Sequence, residues 1–289
     1  MYKTVKYVIP AYEIDMGGVT VKQALPTRPV DQVDPFLLLH HGRFSARSDA
    51  PALHQGLGPH PHRGFTPVSF VIDGEVHHRD SRENSQIAKQ GEVQWMHAGA
   101  GIIHSERPSQ ALAERNGTLE VVQLWINSPT LNKMVQPDYQ YIPKSEIPVF
   151  LSADKRFKNK VIAGQYEAQV GKIKTQSELL ILWCQAESKA TQKLSIPTGF
   201  NCMLYVLRGE LSITGFGKVL SESLAIFDGS DNDIEISTDS STQFLLLAGA
   251  PLDESIVHHG PFVMNTTTEI LEAMRDYQMG KMGVLIEEK

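Results

Sequence analysis

The chain has 289 residues, of which 41% are hydrophobic and 21% charged, with a formal net charge of −6 and a pI near 6.0. These values fit a soluble folded protein with a sizeable core, in one large domain or two, and exclude a disordered, fibrous or disulfide-built chain. An acidic molecule repels phosphate backbones and anionic lipid, so no direct nucleic-acid or membrane binding is expected.

The N-terminal "MYKTVKYVIPAYEIDMGG" lacks an apolar stretch long enough for a signal h-region. No later segment approaches the roughly 18 apolar residues of a membrane span. From there the chain reads as short strands: "FLLLH", "VSFVID", "EVHHR", "EVQWM" and "TLEVVQLWI", then "LLILWC", "MLYVL", "ELSIT", "LAIFD", "IEIST" and "FLLLAGA". Turn clusters such as "DGE", "DSREN", "RGE", "GFGK" and "DGSDND" separate them, the rhythm of an all-β barrel or sandwich. "SPTLNKMVQPDYQYIPKSEIP", Ser128 to Pro148, breaks that rhythm with prolines. It reads as a connector, giving a first domain at 1–130, a connector at 131–148 and a second domain at 149–289. "FVIDGEV" and "YVLRGEL" place the same strand, Gly-Glu turn and strand around Gly74 and Gly209, which suggests an internal duplication.

The basic run Lys155 to Lys160 is expected to be a solvated loop. Cys184 and Cys202, the two cysteines, lie in apolar strands and read as small core residues, which points to a reducing cytoplasm. Near the C-terminus, Thr266 and Glu269 fit a capping box. Ile270, Leu271, Met274 and Tyr277 follow at helical spacing and Gly280 stops the pattern, so a helix over about Thr267–Met279 should dock on a barrel.

Chemistry concentrates in the first half, where nine of the eleven histidines lie between His40 and His104. In "PHPHRGF", His60 and His62 are two apart and share one face of a strand, while Pro61 suits a strand start or edge. A lone pair of this kind is equally a pair of surface histidines. His104 and Glu106, in "GAGIIHSE", repeat the spacing, so two neighbouring strands could supply three imidazoles and one carboxylate to a single interior point. His77 and His78 adjoin a turn, and at most one of them faces inward. His97 is a candidate partner to orient an imidazole, and His54, His258 and His259 read as loop residues. Trp95 and Phe65 are expected to fill the barrel rather than stack on a substrate.

Those residues, with "DPFLLL", "GEVQWMHAGAGIIHSE", "VVQLWIN", "MVQPDYQ" and "HHGPFVMNT", resemble the pirin family of the cupin superfamily. The resemblance runs in order from Asp34 to Thr266. It implies an all-β bicupin, two antiparallel jelly-roll barrels with a C-terminal helix. The family's iron ligands fall on His60, His62, His104 and Glu106. The ordinary cupin glutamate four residues after the second histidine is Thr66 here, which leaves Glu106 as the carboxylate. His40-His41 stands where an acidic residue is expected in many relatives. In the second half, Ser195 and Pro197 occupy the positions of the histidine pair, so that barrel is expected to be metal-free.

The donor set suits Fe, Mn, Co, Ni, Cu or Zn, and Fe(II) is taken from the resemblance. The resemblance further implies a quercetinase, cleaving a flavonol-like aromatic substrate with O2 and releasing CO. In it Glu106 is either a permanent ligand or a ligand that also acts as base. Against this stand a redox-responsive, transcription-cofactor-like protein working through a protein partner, and a purely stabilising metal site. A monomer is expected.

Overall fold

The computed structural model describes residues 2–16, 19–229 and 231–287. Ser230, within the "DGSDND" turn, lies outside the described residues. No helix among the described residues is long and apolar enough to cross a membrane.

The strand alternation yields two compact units with the same internal plan. The histidine-bearing unit comprises Glu13–Val21, Leu38–Lys144 and Asp253–Lys289. Its four-stranded sheet runs, in spatial order, Leu57–His62, Ile102–Pro108, Glu75–Asp80 and Ser85–Lys89. The facing sheet is ordered Asp138–Ile142, Val93–His97, Phe65–Asp73, Thr118–Asn127, Phe36–Ser45, Thr20–Leu25 and Tyr12–Asp15. In the other unit, Ala190–Ser195, Asp233–Thr238, Glu210–Ile213 and Gly217–Leu220 repeat the four-stranded order. Each plan turns on a Gly-Glu hairpin. Gly74 and Gly209 have φ of 77° and 74°, a region side chains avoid. A Cβ there would come within 2.2 Å of the Thr118 carbonyl oxygen and 2.5 Å of that of Ser241. The duplication suggested by one hairpin therefore extends to whole sheet topologies.

The units are not consecutive halves, so the division at 1–130, 131–148 and 149–289 is corrected at three places. The N-terminal strand Thr4–Pro10 pairs with Ser223–Asp228, and its Val5 and Val8 pack on the core of the second-half unit. The presumed connector contributes Asp138–Ile142, paired antiparallel with Val93–His97 in the histidine-bearing unit. Its bounding prolines, Pro137 and Pro143, are compatible with an edge strand. The C-terminal segment packs on the histidine-bearing unit, where Phe262, Met264, Ile270, Ala273 and Met282 form one apolar cluster with Ile103.

The helix spans Thr267–Gln278, and its capping box is present. Its buried stripe is Ile270 and Ala273; Leu271 and Tyr277 are 61% and 40% exposed, so the apolar face is narrower than the spacing suggested. Two cations fasten this segment beside the His60–His62 strand. Arg63 donates through Nε to the Ala100 carbonyl at 2.7 Å and through both terminal nitrogens to Asp276 Oδ2 at 3.1 Å. Lys133, buried, donates to the carbonyls of Gly64 and Val263 at 2.8 and 3.1 Å and to Asn127 Oδ1 at 2.6 Å. Burial lowers its pKa to about 8.

The basic run is also corrected. Lys155 and Arg156 are exposed, but Phe157–Ala163 is a strand, and Lys160 is 5% exposed with its ammonium 4.5 Å from the Trp183 ring centroid. From Asn159 onward the strand is buried on both faces, and the Trp183 ring offsets the burial of the Lys160 ammonium. Cys184 and Cys202 are free and buried, as expected, and burial raises both thiols, Cys202 to about 12.

Candidate metal centre

Three adjacent strands each send an alternating pair of side chains to the same interior face. The central strand, Ile102–Pro108, pairs His104 with His60 on one side and with Asp80 on the other. A register shift on the first side sets Glu106 opposite Leu57, while the regular pairing on the other sets it opposite His78. The outer strands thus contribute His60 with His62, and His78 with Asp80. The ligand atoms of His60, His62 and His104 lie within 4.8 Å of one another, and the ring centroids are 4.3 to 4.9 Å apart.

Metal ligation requires bare imidazole nitrogens. His60 Nδ1 lies 2.7 Å from the Gly58 carbonyl oxygen, which can only accept, so Nδ1 carries the hydrogen and Nε2 is free. His104 Nε2 and the nitrogens of His62 are buried without a well-formed hydrogen bond, the Pro261 carbonyl being the one acceptor that faces His62, so the neutral His62 ring keeps one nitrogen bare. Such a buried bare nitrogen is costly in a protein interior unless something else is coordinated there. Burial, reinforced by the neighbouring imidazoles, lowers the pKa of His62 and of His104 well below the ordinary value. These residues fit a divalent ion held by nitrogen and oxygen donors, with no thiolate present.

Glu106 stands beside this group rather than within it. Its Oε1 accepts from Ser69 Oγ and its Oε2 from Gln123 Nε2, both at 2.7 Å. Gln123 is oriented in turn by Trp125, whose indole Nε1 donates to Gln123 Oε1 at 3.3 Å. The Trp125 ring lies 5.3 Å from that of His62 and 4.3 Å from that of Phe65. Phe65 and Trp95 are buried and fill the barrel. A mainly apolar cavity is lined by Glu106 and Gln123 and walled by Val21, Phe44, Leu57, Leu119 and Val121, with His40 the further polar group.

The remaining histidines sort by strand face. His78 is buried and His77 is not: His77 turns outward to Ser85 Oγ at 2.9 Å. His97 does not orient the triad. It is held by Thr66 Oγ1 at 3.0 Å and the Asn132 carbonyl at 3.1 Å, because its strand lies in the opposite sheet. His41 Nε2 meets Glu120 Oε1 at 2.7 Å, buried. His54 ends a single 3-10 turn, and His258 and His259 are exposed on the short strand Val257–His259. Sequence reasoning missed His78 with Asp80, although "HRD" carries the same two-residue spacing as the other pairs. It also missed Tyr139, whose ring stacks on His78 at 4.3 Å and 17°.

Burial lowers His40 to a pKa of about 4, and burial, with the positive charge of Arg79 nearby, does the same for His77. The unfolded chain protonates these groups near pH 6.5 while the folded one keeps them neutral, so the unfolded state binds more protons in between. Their stability contribution is present above about pH 6.5 and is lost as pH falls toward about 4. Melting curves in a chelator should show the metal-free protein weakening across that window.

A family model described as pirin matches residues 18–126, and one described as the pirin C-terminal cupin domain matches 181–283. A Pseudomonas aeruginosa protein provisionally named quercetin 2,3-dioxygenase is 39% identical over 251 residues, 86% of each chain. The pirin-like protein of Solanum lycopersicum is 31% identical over 283 residues, 96% of this chain and 92% of its own. Among solved structures, quercetin 2,3-dioxygenase from Acinetobacter baumannii superposes with a TM-score of 0.91 at 34% identity, covering 99% of this chain and 100% of that one. A bacterial pirin from Escherichia coli, crystallised in complex with nickel(II), shares the fold with a TM-score of 0.68 at 21% identity, over 85% and 99% of the two chains.

Proposed function

The chain belongs to the pirin family, and from that premise we propose that it is a metal-dependent dioxygenase of the quercetinase type. One observation carries this reading: three imidazoles with bare nitrogens converge in a buried spot with a carboxylate beside them. His60, His62 and His104 hold the ion and Glu106 completes the set; the ion is Fe(II) by family likeness. When bound, it supplies a Lewis-acidic centre at which a substrate hydroxyl oxygen loses its proton more readily. The relatives named as quercetin 2,3-dioxygenases support a flavonol as substrate.

The chain's own residues do the rest. Glu106 accepts the proton from the flavonol 3-hydroxyl, a role supported by Ser69 and Gln123, which hold its two carboxylate oxygens so that one can turn to the substrate while the other stays fixed. The walls formed by Val21, Phe44, Leu57, Leu119 and Val121 keep water from the reacting carbons. In the overall reaction the flavonol takes up O2, its central ring opens to an ester, and one carbon leaves as carbon monoxide. The cavity measures about 80 Å3, so the flavonol enters as the wall yields, with Met16, 38% exposed, among the residues that line it.

The test is anaerobic purification, iron loading, and addition of quercetin with O2. Flavonol absorbance should fall as carbon monoxide appears in equal amount. Fully loaded protein that produces neither removes the dioxygenase reading.

A further inference from the structure

Asp80 is buried, and both its carboxylate oxygens are saturated. Oδ1 accepts from the backbone N–H groups of Arg82 and Asn84 at 2.9 and 3.1 Å. Oδ2 accepts from Asn84 Nδ2 at 2.8 Å and faces His78 Nε2 at 2.9 Å. With each oxygen already engaged, the hydrogen between Asp80 and His78 resides on His78 Nε2. In the neutral ring that leaves His78 Nδ1 bare, and it faces His104 Nδ1 at 3.4 Å. Two imidazole nitrogens can share this contact only if one carries the hydrogen. Because His78 Nδ1 does not, His104 Nδ1 must, which leaves His104 Nε2 bare, the atom that is buried without a protein partner.

We propose that Asp80 and His78 form a positioning relay that fixes the tautomer of His104, so that its Nε2 presents a lone pair to the metal. The proposal rests on the reading of His60, His62 and His104 as ligands. It gives the "HRD" step a task that the proposed reaction leaves unused. Ligand histidines commonly donate their second N–H to a carboxylate or a carbonyl, which fixes the ring and raises its basicity. His60 follows that habit directly, through the Gly58 carbonyl. His104 reaches its carboxylate at one remove, through a second imidazole whose plane is held by the stacked Tyr139 ring.

Asp80→Asn tests the relay with almost no change in volume. Asparagine can keep its carbonyl oxygen on the two backbone N–H groups, but its Nδ2 then donates toward His78. His78 must accept at Nε2 and carry its hydrogen on Nδ1, which drives the hydrogen of His104 onto Nε2, where it blocks coordination. Zinc(II) affinity, measured by competition with a chromophoric chelator, should fall about 10- to 100-fold, the range for lost outer partners of metal ligands. His78→Leu should fall similarly. His77→Ala, whose side chain faces the other way, should leave affinity unchanged. Nitrogen-15 spectra of the metal-free proteins give a readout that packing alone would not move: His104 protonated at Nδ1 in the wild type and at Nε2 in Asp80→Asn. Unchanged affinity in Asp80→Asn and His78→Leu overturns the relay, as does a wild-type His104 that already carries its hydrogen on Nε2. A wild-type chain that binds no zinc overturns the ligand reading instead, and the tautomer spectrum still decides the relay.

Discussion

His60→Ala should abolish metal binding and turnover while leaving the metal-free fold close to wild type. His60 is the partly exposed member of the triad, and the Nδ1 contact it loses is to Gly58, a nearby carbonyl on the same strand. His62 and His104 are each 2% exposed, so alanine at either also leaves a cavity, and loss of metal there could not be separated from loss of packing. Removing one of three imidazoles should weaken affinity by more than the roughly 100-fold upper range for an outer partner. The measurement is a pair of melting curves with and without zinc or iron. A metal that binds only the native state adds roughly 4 kcal/mol at a thousandfold excess over its dissociation constant, so the wild-type curve moves upward and chelation reverses it. The His60→Ala curve should not respond to metal, and its metal-free midpoint should match that of the wild type. A variant that still responds like the wild type places the ion elsewhere.

Glu106→Gln should lower turnover on quercetin by about 100- to 10,000-fold, the span for a missing general base. The change is nearly isosteric, but it sets an amide N–H against Gln123 Nε2, a second donor whose orientation Trp125 fixes. The carboxamide must therefore rotate, and Ser69 Oγ or Gln123 loses its acceptor. What decides the role of Glu106 is how affinity and rate divide. If the residue is only a ligand, turnover measured at saturating metal should recover most of its value. A base whose loss no metal concentration repairs shows a fall in kcat with metal still bound. The position of Glu106 beside the triad rather than in its close group leads us to expect the second pattern.

The architecture was legible because burial on a sheet repeats every two residues, a period that a one-dimensional reading can see. The same rule exposed His60 with His62 and His104 with Glu106. It carried the same information for His78 with Asp80, which went unread because "EVHHR" ended the strand one residue short of the aspartate that completes the pair. Tyr139 was hidden for a different reason: Pro137 and Pro143 made its segment look like a linker, yet an edge strand tolerates flanking prolines. His97 was weighed by nearness in sequence, which says nothing about which of two sheets a strand joins.

The bicupin plan was read from the family resemblance, while the sequence by itself determined the all-β character, the capped C-terminal helix and the residue types gathered for an ion. These depend on local periodicity, capping and turn chemistry, all of which act within a few residues. Tertiary structure alone decided that the N-terminal strand completes one sheet while the C-terminal segment packs on the histidine-bearing unit, and that Asp80 reaches His104 through His78. Such pairings depend on the register between strands far apart in the chain. A register is chosen by the packing of whole sheet faces, and that energy belongs to no single stretch of residues.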